Sequence, residues 1–332
     1  MEARQASILN MEALEGHARL TSRKRLRFRT RSLRNLLRMG HCAPAVMKSM
    51  SDICGFGEDW PIQMAAGLPG GIGDTGHECG GITSPVLFLG LRYGLGDEHE
   101  GLPLVFYKGH DHFRRFLDRN GTPLCREIRG DNYRLTRCIK AVCCAPEIAL
   151  TAVSGDSRDA ISGERRLAFA RIYSYLGGRG FHCSRAVLER LSPEFPADSE
   201  PLEAAAGYLG GTLLTGMTCS ALAAGVMALG FGLREFEDSL PRVMRMIVLM
   251  KTGGEAFADR VNKFNRIMNL GKTLSQWFAG EFGDTQCRAI TGCDFSSVAD
   301  VKRYIDTDRA SQCLAISEKV AGKVLSMARI EN

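Results

Sequence analysis

AAGLPGGIGDTGHECGGITSPVLFLG, residues 65–90, and AAGYLGGTLLTGMTCSALAAGVMALG, residues 205–230, overlay without a gap at a constant offset of 140. Eleven of the 26 positions are identical, among them five glycines and one cysteine. Chance does not place five glycines and a cysteine in register, so the chain is an internal duplication. The matching extends outward. His41-Cys42 with Ala45-Val46 reappears as His182-Cys183 with Ala186-Val187, after a one-residue change in length. Cys125 and Cys287 each open the pattern Cys-Arg-x-Ile-x-Gly, four residues after Gly121 and Gly283. Cys138 and Cys313 are placed alike, with little flanking identity.

Apolar residues at helical spacing predict helices over 32–54, 60–68 and 79–93 in the first copy. They predict 167–191 (broken near Gly177-Gly178), 202–209 and 219–233 in the second. Further helices are expected over 240–250, 255–270, 298–305 and 310–327. Alternating strand patterns are scarce. The expected fold class is all-α: two homologous helical domains, each with a Gly-rich loop before its central cysteine helix. The expected boundaries are a basic N-terminal extension over 1–31, a first cysteine module over 32–150, a polar linker over 151–164 and a second module over 165–332. The two domains are expected to face each other across a pseudo-twofold.

Each copy supplies four cysteines: Cys42, Cys79, Cys125 and Cys138, then Cys183, Cys219, Cys287 and Cys313. Four thiolates are what an iron–sulfur cluster or a closed zinc site requires. No Cys-x-x-Cys occurs, so ligands would have to converge from separate helices. Gly70, Gly71 and Gly76 before Cys79, and Gly210, Gly211 and Gly216 before Cys219, make turns whose amides can face inward as an anion-binding nest. Such donors stabilise thiolate or cluster sulfur. A helix N-terminus at Cys79 and Cys219 is expected to lower their pKa. The competing reading is that the glycines let helices pack closely and the cysteines are small buried hydrophobes. His41 and His182 are read as polar flanks, because adjacent helical positions point about 100° apart. His77 and the His110-x-His112 pair lack a second copy.

These residues resemble the redox-active family named for its C-GCAxxG-C-C pattern, which carries four characteristic cysteines in a small helical domain. Cys42 and Cys183, each followed by Ala-Val, are similar to its opening cysteine. CGGITSPVLFLG and CSALAAGVMALG are similar to its central motif. The second copy is nearer, with Cys219-Ser-Ala and Gly225; the first has Gly81 for Ala and Pro85 for Gly. The resemblance covers most of 36–145 and 170–325. It implies redox activity, often beside oxidoreductase or transport systems, with haem or iron–sulfur centres in some relatives, and no single reaction.

Three readings of function follow. The first is electron transfer or metal binding, with an iron–sulfur cluster in each quartet and a redox partner protein or oxidoreductase to exchange electrons. The second is a metal-free thiol–disulfide protein. The third is a non-catalytic helical interaction module with structural zinc or no cofactor. The net charge of +6 comes from one arm: residues 19–38 hold nine Lys/Arg and no acid, so the rest of the chain is net negative. The arm is expected to be a solvated, partly disordered extension, or a contact for nucleic acid or an anionic surface. Twelve cysteines without an apolar leader point to a reducing cytoplasm. The thirty uncharged residues 204–233 contain seven glycines, and are read as a buried helix–loop–helix rather than a membrane span. P-loop, zinc-protease, nucleophile-elbow and c-type haem motifs are absent.

Overall fold

The structure is a computed structural model that describes residues 21–94, 101–130, 135–155, 161–193, 199–234 and 266–330, with a few positions between 236 and 248. Among the described residues the chain is helical, without strands. The first module contains α1 (Ser22–Met39), α2 (Cys42–Cys54), α3 (Trp60–Ala65), α4 (Gly80–Tyr93), α5 (Gly101–Asn120), α6 (Cys125–Arg129) and α7 (Leu135–Ser154). The second contains α8 (Gly163–Gly178), α9 (Cys183–Leu191), α10 (Ser199–Ala204), a 3-10 turn (Ala205–Gly207), α11 (Ser220–Leu233), α12 (Arg266–Phe282), α13 (Cys287–Thr291), α14 (Val298–Asp306) and α15 (Arg309–Ile330).

Three expectations are corrected. The helix expected over 32–54 is two helices, because Gly40 takes a left-handed conformation (φ 69°) that ends α1 and lets α2 start at Cys42. The expected basic extension is helical from Ser22, capped by the Thr21 hydroxyl. Its charge does not keep it solvated throughout, because α7 supplies a buried counterion: Arg29 donates to Glu147 at 2.8 Å and Arg25 lies 3.6 Å from it. Arg31 donates to the Asp52 carbonyl. The expected linker begins late, since α7 continues to Ser154. Of the helix expected over 240–250, only 240, 241, 243, 244 and 248 are among the described residues, and these are helical; most of 255–270 lies outside the described residues, and α12 begins at Arg266.

The loops before α4 and α11 are left-handed turns. Residues 70–74 and 210–214 all have positive φ, including the non-glycine residues Ile72, Asp74, Thr212, Leu213 and Leu214. A left-handed conformation costs a side-chain-bearing residue roughly 1–2 kcal/mol. Backbone bonds hold each turn: Gly73 N–H to Gly67 O and Gly76 N–H to Gly70 O in one, Leu213 N–H to Gly207 O and Gly216 N–H to Gly210 O in the other.

Both central helices are almost wholly buried, which explains the uncharged stretch over 204–233. No described helix is long and apolar enough to cross a membrane. α4 packs on α2, α5 and α7 of its own module and on α10 and the 3-10 turn of the other. α11 packs on α9, α12 and α15, and on α3 of the first module. The exchange is reciprocal, as a pseudo-twofold requires. Gly67 abuts Val226 and Gly207 abuts Val86; Gly90 abuts the Ala204 carbonyl and Gly230 the Gln63 carbonyl.

A methyl group at Gly90 would lie 2.1 Å from the Ala204 oxygen, with backbone on both sides and no room to yield. Gly90→Ala should therefore destabilise the protein by at least the ~1–3 kcal/mol of an overpacked core. Gly322 in α15 is exposed and faces open space, so Gly322→Ala should stabilise by about 0.5–1 kcal/mol. Urea unfolding of the two variants tests the opposite signs.

Candidate redox centres

In each module the four cysteines come from four separate elements and converge. Cys42 is the first residue of α2, Cys79 the N-cap of α4, Cys125 the first residue of α6, and Cys138 lies in the first turn of α7. Cys183, Cys219, Cys287 and Cys313 occupy the matching places on α9, α11, α13 and α15. Paired backbone bonds clamp the second and third cysteines together. Cys79 N–H donates to Pro123 O at 2.9 Å and Cys125 N–H to His77 O at 2.6 Å. Cys219 N–H donates to Thr285 O at 2.8 Å and Cys287 N–H to Met217 O at 2.6 Å. The sulfur of Cys42 lies against Gly80, 2.7 Å from where a Cβ would stand.

The glycine turns serve the site differently from the sequence expectation. The Gly70 and Gly210 amides point at the sulfurs of Cys42 and Cys183, the first cysteine of each quartet. The sulfur of Cys79 instead accepts from Gly81 N–H at 3.5 Å, and that of Cys219 faces the Leu222 and Ala221 amides. Gly71 and Gly211 are needed for close approach: a Cβ there would stand 2.4 Å from His77 N and 2.6 Å from Met217 N. Gly76 and Gly216 offer their carbonyls to Arg126 N–H and Arg288 N–H.

The expected lowering of the cysteine pKa values does not occur in the metal-free fold. Burial pushes Cys79, Cys183 and Cys287 well above the usual thiol range and Cys219 up to about 12. Neighbouring thiolates add to the rise at Cys79, Cys183 and Cys287, while the backbone amides pull the other way at Cys79 and Cys183. The end of a helix offers about half a charge, and loss of water around a buried thiolate outweighs it. Burial also raises Cys42, and brings Cys138 up to about 11. All twelve cysteines are free thiols. Among the described residues, no three His, Cys, Asp or Glu side chains already close round a metal ion.

The surroundings of the two quartets differ. Beside the first, Arg129 pairs with Asp74 at 3.0 Å. Beside the second, the Tyr304 hydroxyl donates to the Cys313 sulfur at 3.3 Å. Gly80 is replaced by Ser220, whose hydroxyl accepts from Gly211 N–H. Sequence comparison missed all of these, because matched positions carry different residues. The other cysteines stay outside the quartets: Cys54 ends α2, Cys144 donates to Ala141 O, Cys143 is half-buried, and Cys293 lies near Cys313.

The described histidines make structural contacts. His182 is buried, bonds the Ala206 carbonyl at 3.0 Å, and is pushed down to about 4 by burial. His110 reaches the Leu213 carbonyl of the other module, and His112 the Gly81 carbonyl. His41 packs on Phe236.

The sequence pattern of the family described as "Putative redox-active protein (C_GCAxxG_C_C)" matches residues 40–152 and again 181–327. The chain belongs to this family. It carries two tandem copies of the domain, is cysteine-rich and all-α, and its family character is redox. No curated protein and no solved structure matches it.

The residues just before the central cysteines join the family's two copies. Glu78 is fully buried and accepts both the Thr218 N–H (3.1 Å) and the Thr218 hydroxyl. His77 bonds the hydroxyls of Thr218 (3.1 Å) and Thr285 (3.2 Å). Burial lowers its pKa, so it bridges them as a neutral ring.

Glu78→Leu should strand the Thr218 amide, at about 1–3 kcal/mol for a buried unsatisfied group, and leave the Thr218 hydroxyl with His77 alone. Glu78→Gln, which keeps an acceptor, should lose less. Equal denaturation midpoints for the two variants would contradict this account.

A second expectation concerns pH. Cys54, Cys219 and Cys293 are raised to about 12 in the folded chain, against about 8.5 unfolded. The folded chain then binds more protons than the unfolded one at alkaline pH. The stability these thiols contribute is full below about pH 8.5 and is lost as pH rises toward 12, by about 1.4 kcal/mol per pH unit for each thiol. Urea unfolding of reduced, metal-free protein across this window measures the slope, and Cys54→Ala should make it shallower.

Proposed function

We propose that each quartet is a redox centre that holds an iron–sulfur cluster through its four thiolates: Cys42, Cys79, Cys125 and Cys138 in one, Cys183, Cys219, Cys287 and Cys313 in the other. The observation that carries this reading is the twofold convergence of four thiols with backbone amides aimed at the sulfurs. When bound, such a cluster takes up and releases single electrons.

The donor set suits the group. Four neighbouring buried thiolates repel one another and lack water. A cationic iron centre offsets both penalties, and amides directed at sulfur stabilise the anionic ligand set. The chain's own contributions are to gather the thiols by the paired bonds at Cys79/Cys125 and Cys219/Cys287, to aim the Gly70 and Gly210 amides, and, at the second quartet, to exclude water. In this reading the protein passes electrons to a redox partner protein or oxidoreductase, in the cytoplasm.

The metal-free thiol–disulfide reading has less support. The thiolate is the attacking species in exchange, and burial suppresses it at every quartet position.

Anaerobic purification, visible absorption and assay of iron, sulfide and zinc test the proposal. Iron and sulfide should be present at two centres per chain. Cys79→Ser and Cys219→Ser should each remove about half of the iron and sulfide, and the double variant all of it. Zinc in place of iron would favour the structural-metal reading. A colourless, metal-free protein would overturn the cluster assignment.

A further inference from the structure

The quartets have equivalent chemistry and unequal access. A cavity of about 200 Å³ opens onto Cys42, Cys125 and Cys138. The space at the second quartet is only about 10 Å³, at the limit of what a single water molecule needs. Two causes are visible in the residues. Ser220 lines the space at the second quartet, where its counterpart Gly80 has no side chain and is packed against the Cys42 sulfur, and Tyr304 closes on Cys313.

The cavity walls are apolar: Leu36, Leu135, Ile139, Val142 and Met268 surround the sulfurs. Leu135 and Ile139 remain exposed at its edge, at 42% and 37%. The charged groups on the lining, Asp74 and Arg129, are paired with each other at 3.0 Å. A charged solute would lose its water here, and the described lining residues offer it no charge beyond this pair. An apolar cavity of about 150 Å³ takes a benzene-sized molecule, so this one has room for a slightly larger ring.

We propose that the first quartet is the substrate-facing centre, and that its cavity binds an uncharged, apolar molecule of one or two fused rings against the sulfurs of Cys42 and Cys138. The second quartet is closed to solutes. The assignment rests on the redox reading of the quartets for its purpose, though the binding itself does not require a bound metal.

The test uses the full chain as purified, with indole as the uncharged probe and indole-3-carboxylate as its charged counterpart, followed by calorimetry. Indole should bind once per chain, at least tenfold tighter than the carboxylate. Ile139→Trp places a ring at the exposed edge of the cavity and should weaken indole at least tenfold. Leu314→Trp is the matched position after Cys313, is also exposed, and should leave binding unchanged. Circular dichroism confirms that both variants fold. Absence of indole binding, equal binding of the carboxylate, or an equal effect of the two tryptophans would overturn the proposal. Iron and sulfide content, read separately on the same samples, decides the cluster reading independently of these outcomes.

Discussion

The left-handed turn at 70–74 and 210–214 is the constraint on which the rest depends. It reverses the chain in the space of a few residues between α3 and α4, and between the 3-10 turn and α11. That reversal brings the Gly70 amide to Cys42 and the Gly210 amide to Cys183, while Gly76 and Gly216 meet the start of α6 and α13. Three elements of each site are thus positioned by one turn. Glycine occupies several positions, yet Thr212, Leu213 and Leu214 accept the same geometry in succession. Strain of this kind persists where the surroundings over-determine it. Here those surroundings include the other module, since the Leu213 carbonyl is bonded by His110 and its side chain packs on Gly109.

Much of the fold was legible in the sequence because duplication is an internal comparison. The gap-free overlay located the central helices and the Cys79/Cys219 pair, its extensions located the other three pairs, and the structure gathers them into two quartets. Cys138 and Cys313 lie on helices, α7 and α15, that share equivalent neighbours in part and differ in one, since α7 packs on α1 where α15 packs on α14. The break at Gly40 was hidden by apolar residues that continue the helical period on both sides of it. The arm from Ser22 was misread because its counterion, Glu147, lies more than a hundred residues away and is visible only after folding.

The site was legible in composition more than in physics. A nest of glycine amides was expected near Cys79 and Cys219; the Gly70 and Gly210 amides do face a sulfur, but it is that of the first cysteine of each quartet. The helix-end effect on the thiols was real in sign and too small in size. It is a local quantity that sequence can suggest, whereas loss of solvent is a property of the assembled core. The difference in access between quartets goes with groups found beside only one of them, such as Tyr304 on Cys313, which identity matching discards by construction.

Glu78 and Thr218 occupy equivalent positions in the repeat and meet each other across the pseudo-axis. A carboxylate facing a hydroxyl and an amide is complementary only because the two positions differ. Two first modules set face to face would place one buried carboxylate against another, an arrangement that resists ionisation of both. Two second modules would leave hydroxyls and amides without the acceptor. The halves have therefore become mutually specific, like two parts of a heterodimer held on one chain. Each half carries one side of this contact, so left and right are not interchangeable.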